Sequence, residues 1–146
     1  MEITVETEVT AHAGEVWRAY TTPDDICQWN AASDDWHTTA ATVDLREGGT
    51  FSSRMEAKDG SFGFDFTGAY TRIVPNELIE YDMGGRSARV EFIVRPANAY
   101  AAAPERIIVR VTFDAEQGHS IEQQRAGWQA ILDNFARHVA TKQASA

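Results

Sequence analysis

One segment repeats apolar side chains at helical spacing for longer than any other in the chain. Ile121, Gln124, Trp128, Ile131, Leu132, Phe135 and Val139 fall on one stripe, and Arg125, Gln129, Asp133, Asn134 and Arg137 fall largely elsewhere. Apolar groups recurring every three or four residues share one face of a helix. Ser120 supplies an N-cap with Gln123 three residues on, the pattern of a capping box. The spacing predicts a helix over residues 120–141. Its stripe has to be covered, and the only large surface the rest of the chain offers is a sheet. Gly127 interrupts the helix with a residue about 1 kcal/mol worse than Ala. The expected reason is close approach of the helix to another backbone.

The sheet is legible as period-two alternation. Ile3, Val5 and Val9 alternate with Thr4, Glu6 and Glu8. Residues 39–45 alternate again, with Ala41, Val43 and Leu45 on one side, and residues 51–55 resume after Gly48-Gly49. Phe62, Phe64 and Phe66 share a face, followed by a turn at Pro75-Asn76, a strand over 78–83 and a turn at Gly84-Gly85. Val90, Phe92 and Val94 share the next face; Ile107, Val109, Val111 and Phe113 share the one after. Frequent turn signals make an antiparallel meander the economical topology. Between the first two strands, Val16-Trp17-Arg18-Ala19-Tyr20 has helical spacing. Thr22-Pro23-Asp24-Asp25 reads as a second helix start, with Thr22 as cap, Pro23 at the first position and two acids at the positive end of the dipole. Two short helices ending near Trp29 are expected. The fold class is therefore α+β, one soluble domain over residues 1–146.

Composition excludes some functions. The formal net charge is −9, which disfavours both nucleic-acid binding and docking on anionic lipid, since each relies on Lys and Arg. No apolar run approaches the roughly 20 residues needed to cross a bilayer, so no membrane insertion is expected. The lone Cys27 allows no intrachain disulfide, and the sequence from Met1 shows no secretory signal, so a cytoplasmic location is expected.

Several stretches in order resemble a known family. They are Val16-Trp17, Ala19, Thr21, Pro23, Ile26 and Trp29; Asp44-Leu45-Arg46, Gly48-Gly49 and Phe51; and Gly127-Trp128 in the terminal helix. Together they resemble the activator-of-heat-shock-protein-90-ATPase-like branch of the START and birch-pollen-allergen (SRPBCC) superfamily. Residues 29–37 and 121–128 are similar to its small bacterial single-domain members. The resemblance implies a helix-grip fold: a curved antiparallel sheet, two short helices and a long C-terminal helix over it, with an apolar cavity between in many members. It also implies a range of activities, from lipid and polyketide carriage to aromatase/cyclase chemistry and chaperone contact. The Ala/Pro-rich run Pro96-Ala97-Asn98-Ala99-Tyr100-Ala101-Ala102-Ala103-Pro104 departs from a plain hairpin and is expected to project as a loop.

Three functions follow as expectations. The first is binding of a small apolar molecule, lipid-like or aromatic, by Trp29, Trp36, His37, Phe51, Met55, Phe64, Phe66, Tyr81, Phe92, Trp128, Leu132 and Phe135. The same residue types serve a solid core or a lined cavity, and the resemblance implies the cavity. The second is a co-chaperone domain acting on a chaperone ATPase. The third is a cyclase- or hydrolase-type enzyme with His37 as base beside Asp34 or Asp35, which requires those side chains to converge and face the cavity. Binding is preferred over catalysis. His12, His37, His119 and His138 are scattered without metal-ligand spacing, and no G-x-S-x-G, G-x-G-x-x-G or Walker sequence occurs, so no metal or other cofactor is expected. His138, near the helix C-terminus, is expected to complement the dipole. Asp65 and Glu91, between apolar neighbours, are expected on the solvent face.

Overall fold

The structure, a computed structural model, describes residues 1–95 and 105–145, with side chains described up to residue 142. The 96–104 connection expected to project as a loop lies outside the described residues. The elements follow in the order β1 (Glu2–Thr10), α1 (Ala13–Thr21), α2 (Pro23–Trp29), β2 (Trp36–Val43), β3 (Thr50–Ala57), β4 (Gly63–Val74), β5 (Leu78–Asp82), β6 (Ser87–Arg95), β7 (Arg106–Asp114) and α3 (Ile121–Ser145). The strands form one antiparallel sheet in the order β1-β7-β6-β5-β4-β3-β2. The sheet curls into a half-barrel, and α3 lies in its concavity. This is the helix-grip arrangement.

Local chemistry explains the elements. The β-branched alternation of β7 buries Ile107, Val109, Val111 and Phe113 almost completely, as expected where a half-buried strand faces a core. β6 buries Val90 and Phe92, but Val94 is exposed towards the strand end. In β4 the shared face is also incomplete. Phe62 precedes the strand and is 74% exposed, and Phe64 is 47% exposed. Leu45 likewise falls beyond β2 and is exposed. Glu91 is only partly exposed, paired with Arg89 at 3.5 Å, whereas Asp65 lies on the surface.

Curvature comes from breaks in the ladder. Register shifts occur in β2 between Thr38 and Ala40, and in β4 between Tyr70 and Arg72. Such irregularities bend a strand and increase its twist. At Gly68 a Cβ would lie 2.6 Å from the Phe51 ring and 2.8 Å from the Asp82 carbonyl. Only Gly lets that ring press flat against the backbone of the next strand.

The long helix begins as expected. Gln123 N–H donates to Ser120 Oγ at 3.1 Å, and Ser120 N–H donates to Gln123 Oε1 at 3.4 Å. This is the reciprocal capping box. The helix runs on to Ser145 rather than stopping near Thr141, because Lys142 in the extra turn has a partner on α2 (below). Thr22 occupies the N-cap position of α2, but its hydroxyl makes no capping bond. The turn is closed by backbone instead, Thr22 N–H donating to the Arg18 carbonyl and Ile26 N–H to that of Thr22, both at 2.9 Å.

Candidate ligand-binding cavity

Helix and sheet do not meet along the whole of α3. From Leu132 onwards, Leu132, Phe135 and Val139 are buried at 2%, 0% and 3% exposure. In its first half, Trp128 and Ile131 are only half-buried, and a cavity of about 570 Å³ opens beneath them. That volume lies within the usual range for small-molecule sites, roughly 300–1,000 Å³. Phe51, Ser53 and Met55 on β3, Phe64, Phe66 and Tyr70 on β4, and Ile79 and Tyr81 on β5 form its floor. Gly127, Trp128, Ile131 and Leu132 form its roof. Tyr20 on α1, with Ile26 and Trp29 on α2, closes one side, and Trp36 stands at the start of β2.

Ring contacts hold this lining in place. Trp128 stacks on Phe113 with centroids 4.0 Å apart and planes 12° from parallel. Its edge relation to Phe66 spans 6.4 Å. Phe51 meets Tyr81 edge-on at 5.0 Å and Tyr70 at 5.2 Å. Trp36 and Phe64 lie 5.9 Å apart. Trp29 is fixed by its indole N–H, which donates to the Ala19 carbonyl at 2.9 Å. Aromatic pairs in such offset and edge arrangements contribute about 0.5–1.5 kcal/mol each beyond their burial. The rings therefore hold one another in position around the cavity.

Three phenols interrupt the apolar lining. Burial pushes the Tyr20 hydroxyl well above its ordinary range, and the neighbouring Tyr70 adds to this. The Tyr70 hydroxyl is pushed up to about 12, by burial and then by the negative charge of Asp44. Tyr81 is raised by burial and by Tyr20 and Tyr70, against a smaller opposing effect of Arg86. All three stay protonated at neutral pH, so each keeps an O–H able to donate.

A separate polar cluster ties α3 to α2. Asp25 Oδ1 accepts from Lys142 Nζ at 2.6 Å and lies 2.7 Å from His138 Nε2. The Asp25 and His138 side chains are 6% and 8% exposed. Burial alone would raise the Asp25 carboxyl, but hydrogen bonds and charge from Lys142 and His138 outweigh it and hold the group below the usual carboxylate range. His138 thus has a specific partner, where the sequence suggested only a role towards the helix dipole. One turn earlier, Asn134 Nδ2 donates to the Ala31 carbonyl at 2.5 Å.

The family model described as Activator of Hsp90 ATPase homolog 1-like protein matches residues 10–140. The chain belongs to this AHSA1-like family. A solution structure of an AHSA1-like protein from Aeromonas hydrophila is 45% identical, covers 98% of this chain and 94% of its own, and superposes with a TM-score of 0.86. A protein of Cytophaga hutchinsonii is 38% identical, over 99% of this chain and 96% of its own, with a TM-score of 0.77. A Nitrosomonas europaea protein at 16% identity shares the fold, over 99% of this chain and 97% of its own, with a TM-score of 0.75. No curated protein matches the chain at a significant level. Among the described residues no helix of this AHSA1-like chain is long and apolar enough to cross a membrane.

Of the residues singled out from the sequence, Trp29, Trp36, Phe51, Met55, Phe64, Phe66, Tyr81, Trp128 and Leu132 line the cavity of this AHSA1-like domain. Phe92 and Phe135 do not. Phe92 packs edge-on to Trp17 at 5.2 Å and Tyr20 at 5.5 Å, and Phe135 packs on Tyr20 at 5.2 Å and Trp29 at 5.0 Å. Both lie where the two short helices and the end of α3 come down onto the sheet, so their rings are filled core.

His37 opens instead onto a smaller polar hollow of about 330 Å³ that it shares with Asp34, Lys58, Asn134 and Arg137. Trp36 borders both this hollow and the cavity, whereas His37 borders only the hollow. Asp35 accepts a bond from Ser33 Oγ at 2.5 Å, and no hydrogen bond joins it to His37 among the described residues. The acid–base pair of the enzyme alternative is not assembled towards the cavity.

Sequence reasoning missed Tyr20, Tyr70, Arg86 and Gly127 as lining residues. Tyr70 was findable, since it continues the inward parity of Phe66. Gly127 was noticed and misread. A Cβ there would meet nothing within 4 Å, so no backbone approaches it. It faces the empty space.

Proposed function

We propose that this AHSA1-like domain binds a small apolar molecule between the sheet and the first half of α3. The observation that carries the reading is the cavity itself: about 570 Å³, walled by rings that hold one another in place and roofed by a helix carrying Gly127 at the gap. A folded protein closes such a space when it can, because unfilled volume forfeits dispersion contacts. A space of this size is explained if an occupant supplies those contacts. The co-chaperone alternative rests on the family description rather than on a geometry of the described residues.

A thermal-shift screen of apolar compounds tests the proposal. Saturation at 100 times the dissociation constant adds about 2.7 kcal/mol, which raises the melting temperature by roughly 5–10 °C for a chain of this length. The shift should vanish in Gly127→Leu, whose side chain occupies the cavity. A screen across lipid-like and aromatic classes that moves nothing, with amide spectra unperturbed, refutes the reading.

A further inference from the structure

We propose that the cavity recognises its ligand by a carbonyl-type oxygen, borne by a ketone or a carboxylate, at the pole formed by the hydroxyls of Tyr20, Tyr70 and Tyr81. This rests on the apolar-cavity reading and adds a polar end to it. None of the three hydroxyls has a hydrogen-bond partner among the described residues. Tyr70 and Tyr81 are nevertheless each only 7% exposed. No buried side-chain nitrogen or oxygen among the described residues is sealed off without a partner. The hydroxyls therefore open onto the cavity that their rings line. They stand near one another. Tyr70 and Tyr81 are directly paired across β4 and β5, and the three phenols act on one another electrostatically.

A buried phenol ordinarily finds a hydrogen-bond partner. Here an occupant of the cavity supplies it, and a ligand oxygen can take the place of water. Arg86 sets which kind. Its Nη1 donates to the Asp114 carbonyl at 3.0 Å, it lines the same cavity, and it makes no ion pair among the described residues. A guanidinium has donors only, and its charge acts on Tyr81. The pole therefore offers O–H and N–H donors, and the Arg86 charge stands in a cavity that Glu116 also lines. Donors gathered at one end favour an oxygen that accepts.

Three probes with one carbon frame test this: diphenylmethane, benzophenone and diphenylacetate, titrated against the full chain by amide NMR. Benzophenone or diphenylacetate should bind at least about tenfold tighter than diphenylmethane. Each hydroxyl is expected to contribute about three- to tenfold. In the double variant Tyr70→Phe/Tyr81→Phe that preference should collapse, with diphenylmethane affinity unchanged. The rings remain, so folding is preserved, and spectral dispersion checks it. The preferred oxygenated probe identifies the source. If it is diphenylacetate, Arg86→Gln should weaken it and spare benzophenone. Equal binding of all three probes, or a preference that survives the double variant, overturns the proposal and leaves the cavity reading standing. Binding of none of them overturns the carbonyl pole, and a thermal-shift screen that also moves nothing overturns both readings.

Discussion

A methyl group added at Gly127 should stabilise this protein, and the size of the gain follows from the structure. Gly127 lies inside α3, where Ala is favoured over Gly by about 0.8–1.0 kcal/mol. It is not among the glycines with positive φ, so Ala adopts its backbone conformation without strain. The added Cβ meets no atom within 4 Å, so no clash offsets the propensity gain. It projects into the cavity, where partial removal of one methyl from water adds at most about 0.8 kcal/mol. Gly127→Ala should therefore be about 1 kcal/mol more stable than the wild type, with a melting temperature about 3 °C higher by calorimetry. Urea unfolding should show a raised midpoint and an unchanged slope. Ordinary intolerance of Gly replacement predicts the opposite. A loss of about 1 kcal/mol or more would refute the reasoning, because it would mean that the helix and sheet touch where the cavity is drawn. The same position separates stability from function. Gly127→Leu keeps the helix propensity but fills the space, so ligand affinity should fall more than tenfold while the fold persists.

Other positions give sharp expectations. Asp25→Asn removes the buried carboxylate between His138 and Lys142, and at pH 7 should cost about 3 kcal/mol, near the lower end for breaking a buried pair because Lys142 is half-exposed. The Asp25 carboxyl is depressed in the fold, so its contribution is complete above the unfolded carboxyl value of about 3.9 and is lost as pH falls through the lower folded value. Urea unfolding from pH 7 to pH 2 should show the wild-type advantage shrinking at the acid end, and a gap independent of pH would contradict this. Phe135→Ala, in filled core, should cost about 3–5 kcal/mol. Trp128→Ala should cost less despite the larger ring, because one side already faces open space, and equal losses in denaturant unfolding would argue against the cavity.

Much of the architecture was written in local patterns. The β7 residues Ile107, Val109, Val111 and Phe113 alternate without a break and are all buried, and the Ser120–Gln123 pair marked the start of α3. Period and cap chemistry are properties of neighbours in sequence, so they survive without tertiary information. The site was legible only in part, for a physical reason. Phe51 and Phe135 are the same residue on inward faces, yet one lines the cavity and the other fills the core. What separates them is how far the curled sheet falls away from the helix, and that depends on register shifts at Thr38/Ala40 and Tyr70/Arg72. Asp25 and His138, 113 residues apart in sequence, left no local signal at all. His37 opens onto a hollow apart from the cavity, and its neighbours Asp34 and Asp35 sit in the turn before β2.

The placement of α3 explains how a gap can persist beneath it. A helix held by apolar contacts alone would settle onto the sheet until its stripe was covered. This helix is also held by polar contacts along its length. At its start, Gln124, itself buried, accepts from Glu116 N–H at 2.6 Å and donates to the Glu116 and His119 carbonyls, both at 3.0 Å. Midway, Gln129 Nε2 donates to the Glu6 carbonyl of edge strand β1 at 2.9 Å. Further along, Asn134 is bonded to Ala31, and in the last turns His138 and Lys142 are bonded to Asp25. Hydrogen bonds have short, directional optima, so these anchors hold the helix against β1, α2 and the loop before α3. Sinking by even 1 Å to close the cavity would stretch several of them at once and leave buried polar groups without partners, at about 1–3 kcal/mol each. The opening is thus a consequence of where the polar anchors sit, at the two ends of α3 and along one edge, with Gly127 and Trp128 spanning the interval between them.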